Sequence, residues 1–168
     1  KNKIPFLGIC YGMQMAIIEF ARNKLNIKKA TSSEFDKNGT PVIGLITEWI
    51  KDGRIIKGTD KNLGGTMRLG SYEAKLKDNS LIKKIYGKKL IEERHRHRYE
   101  VNINFKEKFE KNGMFFSGLS PNGMLPEIIE LKNHPWFVGV QFHPEFKSRP
   151  LAPHPLFSSF IKASKNHK

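Results

Sequence analysis

The chain has one cysteine, and it lies in Gly8-Ile9-Cys10-Tyr11-Gly12. A glycine–x–nucleophile–x–glycine string of this kind forms a sharp elbow between a strand and a helix, more often around serine. The turn strains its central residue, glycines two positions to either side relieve the crowding, and the nucleophile stands exposed at the strand's carboxyl end. Two effects would act on a thiol there. The helix N-terminus lowers its pKa, and the Tyr11 backbone N–H faces a developing oxyanion. The competing reading is a small buried hydrophobe, the commonest fate of an unpaired cysteine. An apolar run before the string and helical periodicity after it favour the nucleophile.

A thiol nucleophile needs a base, and the base needs a group to orient it. Six histidines compete for the role: His95, His97, His134, His143, His154 and His167. His143 ends an apolar run from Trp136 to Phe142 and is followed by Pro144-Glu145, so it falls where α/β sheets place their sites. Pro144 fixes the backbone between them and lets the Glu145 carboxylate reach the second imidazole nitrogen. The plainer alternative is a strand-capping histidine beside a surface acid. His95-x-His97 would put two imidazoles on one strand face, but no cysteine or acidic set completes a zinc site and the flanking arginines repel a cation. No metal is expected.

These residues need elements to hold them. Ile4 to Ile9 is a short apolar run, as in a strand buried on both faces. After Gly12, Met13, Ala16, Ile17, Phe20, Ala21 and Leu25 recur at helical spacing. Val42 to Glu48 reads as a strand and Lys51 to Gly70 as a loop or hairpin. Asp78-Asn79-Ser80 caps a short helix through Tyr86. Lys89 to Glu92 is a strand, and Phe105 to Lys111 a helix stopped by Asn112-Gly113. Strands over Met114–Gly118, Leu125–Leu131 and Trp136–Phe142 follow, and Pro155 opens a last helix with Leu156, Phe157, Phe160 and Ile161 on its apolar face. The pattern predicts one α/β domain with a mixed sheet.

At 168 residues the chain has room for one core, and its 38% hydrophobic share excludes a disordered polymer. No window approaches the ~18 apolar residues of a membrane span. A lone cysteine excludes an intrachain disulfide framework and points to the cytoplasm. With 30 Lys+Arg against 16 Asp+Glu the net charge is +14, which raises a nucleic-acid-binding module as the non-enzymatic alternative. The distribution opposes it: 23 lysines are scattered along the chain with doublets at most, and no aromatics interleave with Arg94-His95-Arg96-His97-Arg98. The chain opens on Lys1-Asn2-Lys3 and turns apolar at Ile4. We therefore expect residues 1–168 to be an N-terminally incomplete domain of a longer polypeptide, and a poor catalyst by itself.

Leu7-Gly8-Ile9-Cys10-Tyr11-Gly12-Met13-Gln14 together with Phe142-His143-Pro144-Glu145-Phe146 resembles the class I, triad-type glutamine amidotransferases. Ser33-Glu34-Phe35, Leu45 to Trp49, Gly64 to Gly70, Glu93 to Asn102 and Asn133 to Phe137 narrow the likeness to the glutaminase domains of the CTP synthase family, over Ile4 to about Ala163. The resemblance implies an open, mostly parallel sheet flanked by helices, and a Cys10–His143–Glu145 triad. It implies that L-glutamine is held by Tyr11, Gly12, Met13 and Gln14 around the elbow, by Arg98 at its α-carboxylate and by Glu34 at its α-ammonium. It further implies that ammonia passes to a separate ligase domain, where ATP and Mg2+ activate UTP for conversion to CTP, with GTP as an allosteric activator. A homotetramer assembled through that other domain is implied as well. No cofactor, nucleic acid or membrane is expected for the present residues. Other class I amidotransferases, such as the GMP synthetase type, and γ-glutamyl hydrolases are the enzymatic alternatives. Tyr11 departs from the leucine common at its position, and neither the upstream loop that supplies a second oxyanion donor nor the ligase domain lies in this chain.

Overall fold

The structure, a computed structural model, describes residues 2–45, 50–51, 54–55 and 67–167. In chain order the elements are strand β1 (Phe6–Ile9), helix α1 (Tyr11–Asn23), β2 (Ala30–Ser32), β3 (Thr40–Leu45), β4 (Ile50–Lys51), β5 (Arg54–Ile55), β6 (Arg68–Leu76), α2 (Leu81–Tyr86), β7 (Leu90–His97), β8 (Tyr99–Val101), α3 (Lys106–Lys111), β9 (Met114–Leu119), β10 (Pro126–Leu131), β11 (Phe137–Val140) and α4 (Pro155–Lys165). The expected strand residues Ile46 to Glu48, and the Gly64-Gly65-Thr66 part of the expected loop, lie outside the described residues.

Six strands form the main sheet in the order β1-β11-β10-β9-β6-β7, and β2-β3-β8 form a second. The α/β class, the mixed sheet and the flanking helices are as predicted, but the main sheet is mostly antiparallel rather than mostly parallel. In the main sheet only β1 and β11 run parallel; the other four neighbouring pairs are antiparallel. The reason is local. Short turns such as Pro121-Asn122-Gly123 join successive strands as hairpins, and a hairpin connection can only be antiparallel. The parallel pair matters most for chemistry, because its register of Ile9 against Val140 carries both chains off the same end of the sheet.

Apolar packing covers both sheet faces. On one side Met13, Ile17, Phe20 and Ala21 of α1 pack with Phe109, Phe116 and Ile129, and with Val42, Ile43 and Val101 of the second sheet. On the other, Ile82 of α2 and Leu156 of α4 pack on Ile128, Val138, Val140 and Phe142. The helix ends are closed as their sequences suggest. Ser80 Oγ accepts from Lys83 N at 3.2 Å at the start of α2, and Gly87 ends it in the left-handed region at φ 64°. The carboxylate of Glu130 in β10 accepts the N–H groups of Leu81 and Ile82, both at 3.0 Å. Pro155 starts α4, where His154 Nδ1 accepts from Leu156 N at 3.3 Å.

β7 runs past the expected Lys89–Glu92 to His97 and alternates strictly. Ile91, Glu93, His95 and His97 point inward, whereas Leu90, Glu92, Arg94 and Arg96 are exposed. Glu93 Oε1 lies 2.9 Å from both the Tyr86 hydroxyl and His154 Nε2, which ties the strand to α2 and α4. The strands β2, β6 and β8 carry no apolar run that the sequence would reveal. They are too short or too polar on one face to show a period.

Candidate active site

The turn after β1 is the elbow the sequence predicts. Cys10 has φ 50° and ψ −102°, in the left-handed half of backbone space, and α1 begins at the next residue. Its amide donates to Val140 O at 2.7 Å and its carbonyl accepts from Gln14 N at 3.2 Å. The two glycines play different parts. A Cβ on Gly8 would lie 2.9 Å from both Gly12 C and Met13 N, so the strand-to-helix crossing requires glycine there. A Cβ on Gly12 would meet nothing within 4 Å. The expected steric need is therefore met at one position and absent at the other.

The adjacent strand supplies the histidine. Three residues beyond the end of β11, His143 donates its backbone N–H to Arg94 O of β7 at 2.8 Å. Its Nδ1 is 2.6 Å from Glu145 Oε1, across a single 3-10 turn begun by Pro144. Phe146 stacks on the imidazole with centroids 5.1 Å apart. Nε2 is buried and has no hydrogen-bond partner among the described residues. An imidazole whose Nδ1–H is held by a carboxylate and whose Nε2 stays free has the form of an oriented general base.

Cys10, Tyr11, Gln14, Glu34, Arg98 and Tyr99 line one cavity of about 260 Å3, joined by Met67, Arg96 and His97. Glu34 lies two residues past β2, and Arg98 is the single residue between β7 and β8, where the chain passes from one sheet to the other. Gly12, Met13, His143 and Glu145 are not in the lining. Met13 is fully buried in the core, so it can offer substrate only its backbone. Two larger hollows, about 510 and 480 Å3, include none of Cys10, His143 and Glu145 in their walls.

The electrostatics depart from expectation at the sulfur. Burial pushes the Cys10 thiol above its ordinary pKa, and the charges of Glu100 and Glu145 add to that rise; hydrogen bonds from the Tyr11 backbone N–H and the Gln141 amide oppose it. Desolvation thus outweighs the hydrogen bond from the first N–H of α1 and favours the neutral thiol.

Behind the cavity lies a buried polar group that the sequence alone does not reveal. Arg68 NH1 is 3.1 Å from Glu100 Oε1 and NH2 is 2.8 Å from Glu127 Oε1. One guanidinium faces two buried carboxyl groups, so burial pushes Glu100 up to about 8 and also raises Glu127. His95 Nδ1 and His97 Nε2 are 2.9 Å apart, and His97 Nδ1 is 3.2 Å from Tyr99 O. A carbonyl only accepts, so His97 carries its proton on Nδ1 and His95 its proton on Nδ1. Burial lowers both imidazoles, to about 2 and about 3. The pair bond to each other rather than converging on a shared point. Gln141 is the other residue that sequence reasoning misses. A polar side chain inside the apolar run Val138 to Phe142, two residues before His143, is the signal that marks it.

The family model described as glutamine amidotransferase class-I matches residues 1–163. The chain is 84% identical over 167 residues to a CTP synthase of Pelagibacter ubique, covering 99% of this chain and 31% of that protein. It is 61% identical over 165 residues to a CTP synthase of Zymomonas mobilis, covering 98% of this chain and 30% of the relative. The chain therefore spans about a third of the length of these curated relatives. Among solved structures, the glutaminase domain of a Trypanosoma brucei CTP synthase with bound acivicin superposes with a TM-score of 0.84 at 33% identity, covering 99% of this chain and 62% of that one. A putative GMP synthase protein from Thermoplasma acidophilum shares the fold, at a TM-score of 0.54 and 16% identity, covering 96% of this chain and 57% of its own.

Proposed function

The chain belongs to the class I glutamine amidotransferase family, and on that premise we propose that residues 1–168 form the glutamine-hydrolysing part of a CTP synthase, with Cys10, His143 and Glu145 as its catalytic triad. The observation that carries this reading is that Cys10 and His143 follow the same ends of two paired parallel strands, one and three residues beyond the Ile9–Val140 pair, with Glu145 Oε1 2.6 Å from His143 Nδ1.

L-Glutamine enters the cavity with its α-carboxylate on the planar fork of Arg98 and its α-ammonium opposite Glu34. Tyr11, Gly12 and Met13 contribute backbone, and Gln14 lines the floor. As the Cys10 sulfur attacks the side-chain amide carbon, its proton passes to His143 Nε2 and the Tyr11 N–H receives the oxyanion. Collapse breaks the carbon–nitrogen bond. His143 gives the proton to the leaving nitrogen, and ammonia departs from a γ-glutamyl thioester on Cys10. Water, deprotonated by His143, then releases glutamate and returns the proton to the sulfur. Glu145 keeps the imidazole in one tautomer and balances the imidazolium.

In the whole protein this ammonia aminates UTP to CTP at the expense of ATP, with GTP as activator, in a cytoplasmic homotetramer. In this reading ATP and Mg2+ act in the rest of the protein; among the described residues no group of three or more histidine, cysteine or carboxylate side chains is arranged to hold a metal. No described helix is long and apolar enough to cross a membrane. Replacing Cys10 by alanine in the intact protein tests the reading. Glutamine-dependent CTP formation should vanish while ammonia-dependent formation persists; loss of both together would refute the role of Cys10.

A further inference from the structure

Gln141 is fully buried, and its Nε2 lies 3.6 Å from Cys10 Sγ. Amide groups are ambiguous in orientation until the surrounding network decides. Here it does. Gln14 Nε2 is 2.9 Å from the Tyr99 carbonyl, which can only accept, so nitrogen must face that way. The second hydrogen of the same nitrogen points to Gln141 Oε1 at 3.2 Å. With its oxygen engaged, Gln141 must turn its own NH2 towards the sulfur. The relay from Tyr99 C=O through Gln14 and Gln141 thus ends in a donor at Cys10 Sγ.

The sulfur needs such a donor. Burial and two nearby carboxylates all favour the neutral thiol, and the groups that favour the thiolate are the Tyr11 backbone N–H and the Gln141 amide. During attack the Tyr11 N–H is required at the oxyanion on the substrate carbon, which leaves Gln141 to support the sulfur. We propose that Gln141 is a catalytic residue that stabilises the Cys10 thiolate by a hydrogen bond, and that Gln14 is a positioning residue that holds the Gln141 amide in its donating orientation. The proposal deepens the triad reading and rests on it for the role of Cys10. Gln14, named above as a glutamine-binding residue, has its NH2 fully engaged inside the protein and offers substrate only its oxygen.

The test is the pH profile of iodoacetamide alkylation at the Cys10-bearing peptide of the intact protein, followed by mass spectrometry. Iodoacetamide reports the sulfur whether or not glutamine is the substrate, so failure here is distinct from failure of the glutaminase assignment. Gln141→Met keeps length and removes the donor. Its profile should shift upward by about one pH unit, an alkylation rate about tenfold lower near neutral pH. Glutamine turnover should fall at least tenfold with KM nearly unchanged, since Gln141 is not in the cavity lining. Gln14→Met should shift the profile in the same direction by about threefold. A Gln141→Met profile superimposed on that of the unsubstituted protein, with circular dichroism unchanged, overturns the proposal. Should Gln141→Met fail to fold, the Gln14→Met profile decides alone: a shift supports the relay and superposition overturns it.

Discussion

Desolvation is the largest influence on the Cys10 sulfur and favours the neutral thiol. In the proposed reaction, proton transfer to His143 accompanies attack, and the His143–Glu145 contact then bears on the rate. Glu145→Gln keeps the shape but offers an amide where a carboxylate should hold Nδ1–H, so glutamine turnover should fall by about 10²–10⁴ with KM little changed. Steady-state kinetics check this; a loss confined to KM would place Glu145 in binding instead. At this scale the sequence marks the proposed reacting groups and is a poor guide to the residues around them. Cys10, His143 and Glu145 are local strings whose backbone geometry is short-range. Gln141 acts on a residue 131 positions away, and Glu127 and Arg68 meet only through sheet pairing, which no short window encodes.

The strand-to-helix elbow is the element that holds Cys10, and its tolerance is asymmetric. Gly8→Ala would press a methyl into the backbone of Gly12 and Met13, costing ~1–3 kcal/mol of stability. Gly12→Ala meets open space and gains up to ~1 kcal/mol of helix propensity. Chemical denaturation of the two variants measures the contrast; equal effects would mean the crossing is looser than it looks. α1, α2, α4 and the strands β1, β9, β10 and β11 are legible in the sequence because each has a cap, a helical apolar period or a mostly apolar run. β7 is legible only in part, since its inward face carries Glu93, His95 and His97. Burying charged and polar residues hides a strand from a hydrophobicity pattern. The antiparallel directions are equally hidden, because a buried strand reads the same whichever way it runs.

Across the whole molecule the arginines fall into separate jobs that net charge conceals. Arg68 is buried between two carboxyl groups, Arg98 lines the cavity, and Arg94 and Arg96 face outward from β7. The buried cluster should give stability a defined pH dependence. Glu100 titrates at 4.5 in the unfolded reference and near about 8 when folded, so the folded protein keeps a proton that the unfolded chain has released. That contribution is present below the lower value and is lost as pH rises through the higher one. His95 and His97 act oppositely, with folded values of about 2 and about 3 against 6.5; their contribution is present above 6.5 and lost on acidification. Thermal unfolding between about pH 5 and pH 9 should show a maximum near neutrality. Glu100→Gln should flatten the alkaline fall, and an unchanged alkaline slope would deny that Glu100 holds that proton. The proposed reaction turns on covalent chemistry at one sulfur, and one measurement reaches it directly. The intact protein is mixed with carbon-labelled glutamine, quenched in acid during turnover and mapped by peptide mass. A γ-glutamyl group on the Cys10 peptide is predicted; glutamine hydrolysis with that peptide unlabelled, or with the label elsewhere, would contradict it.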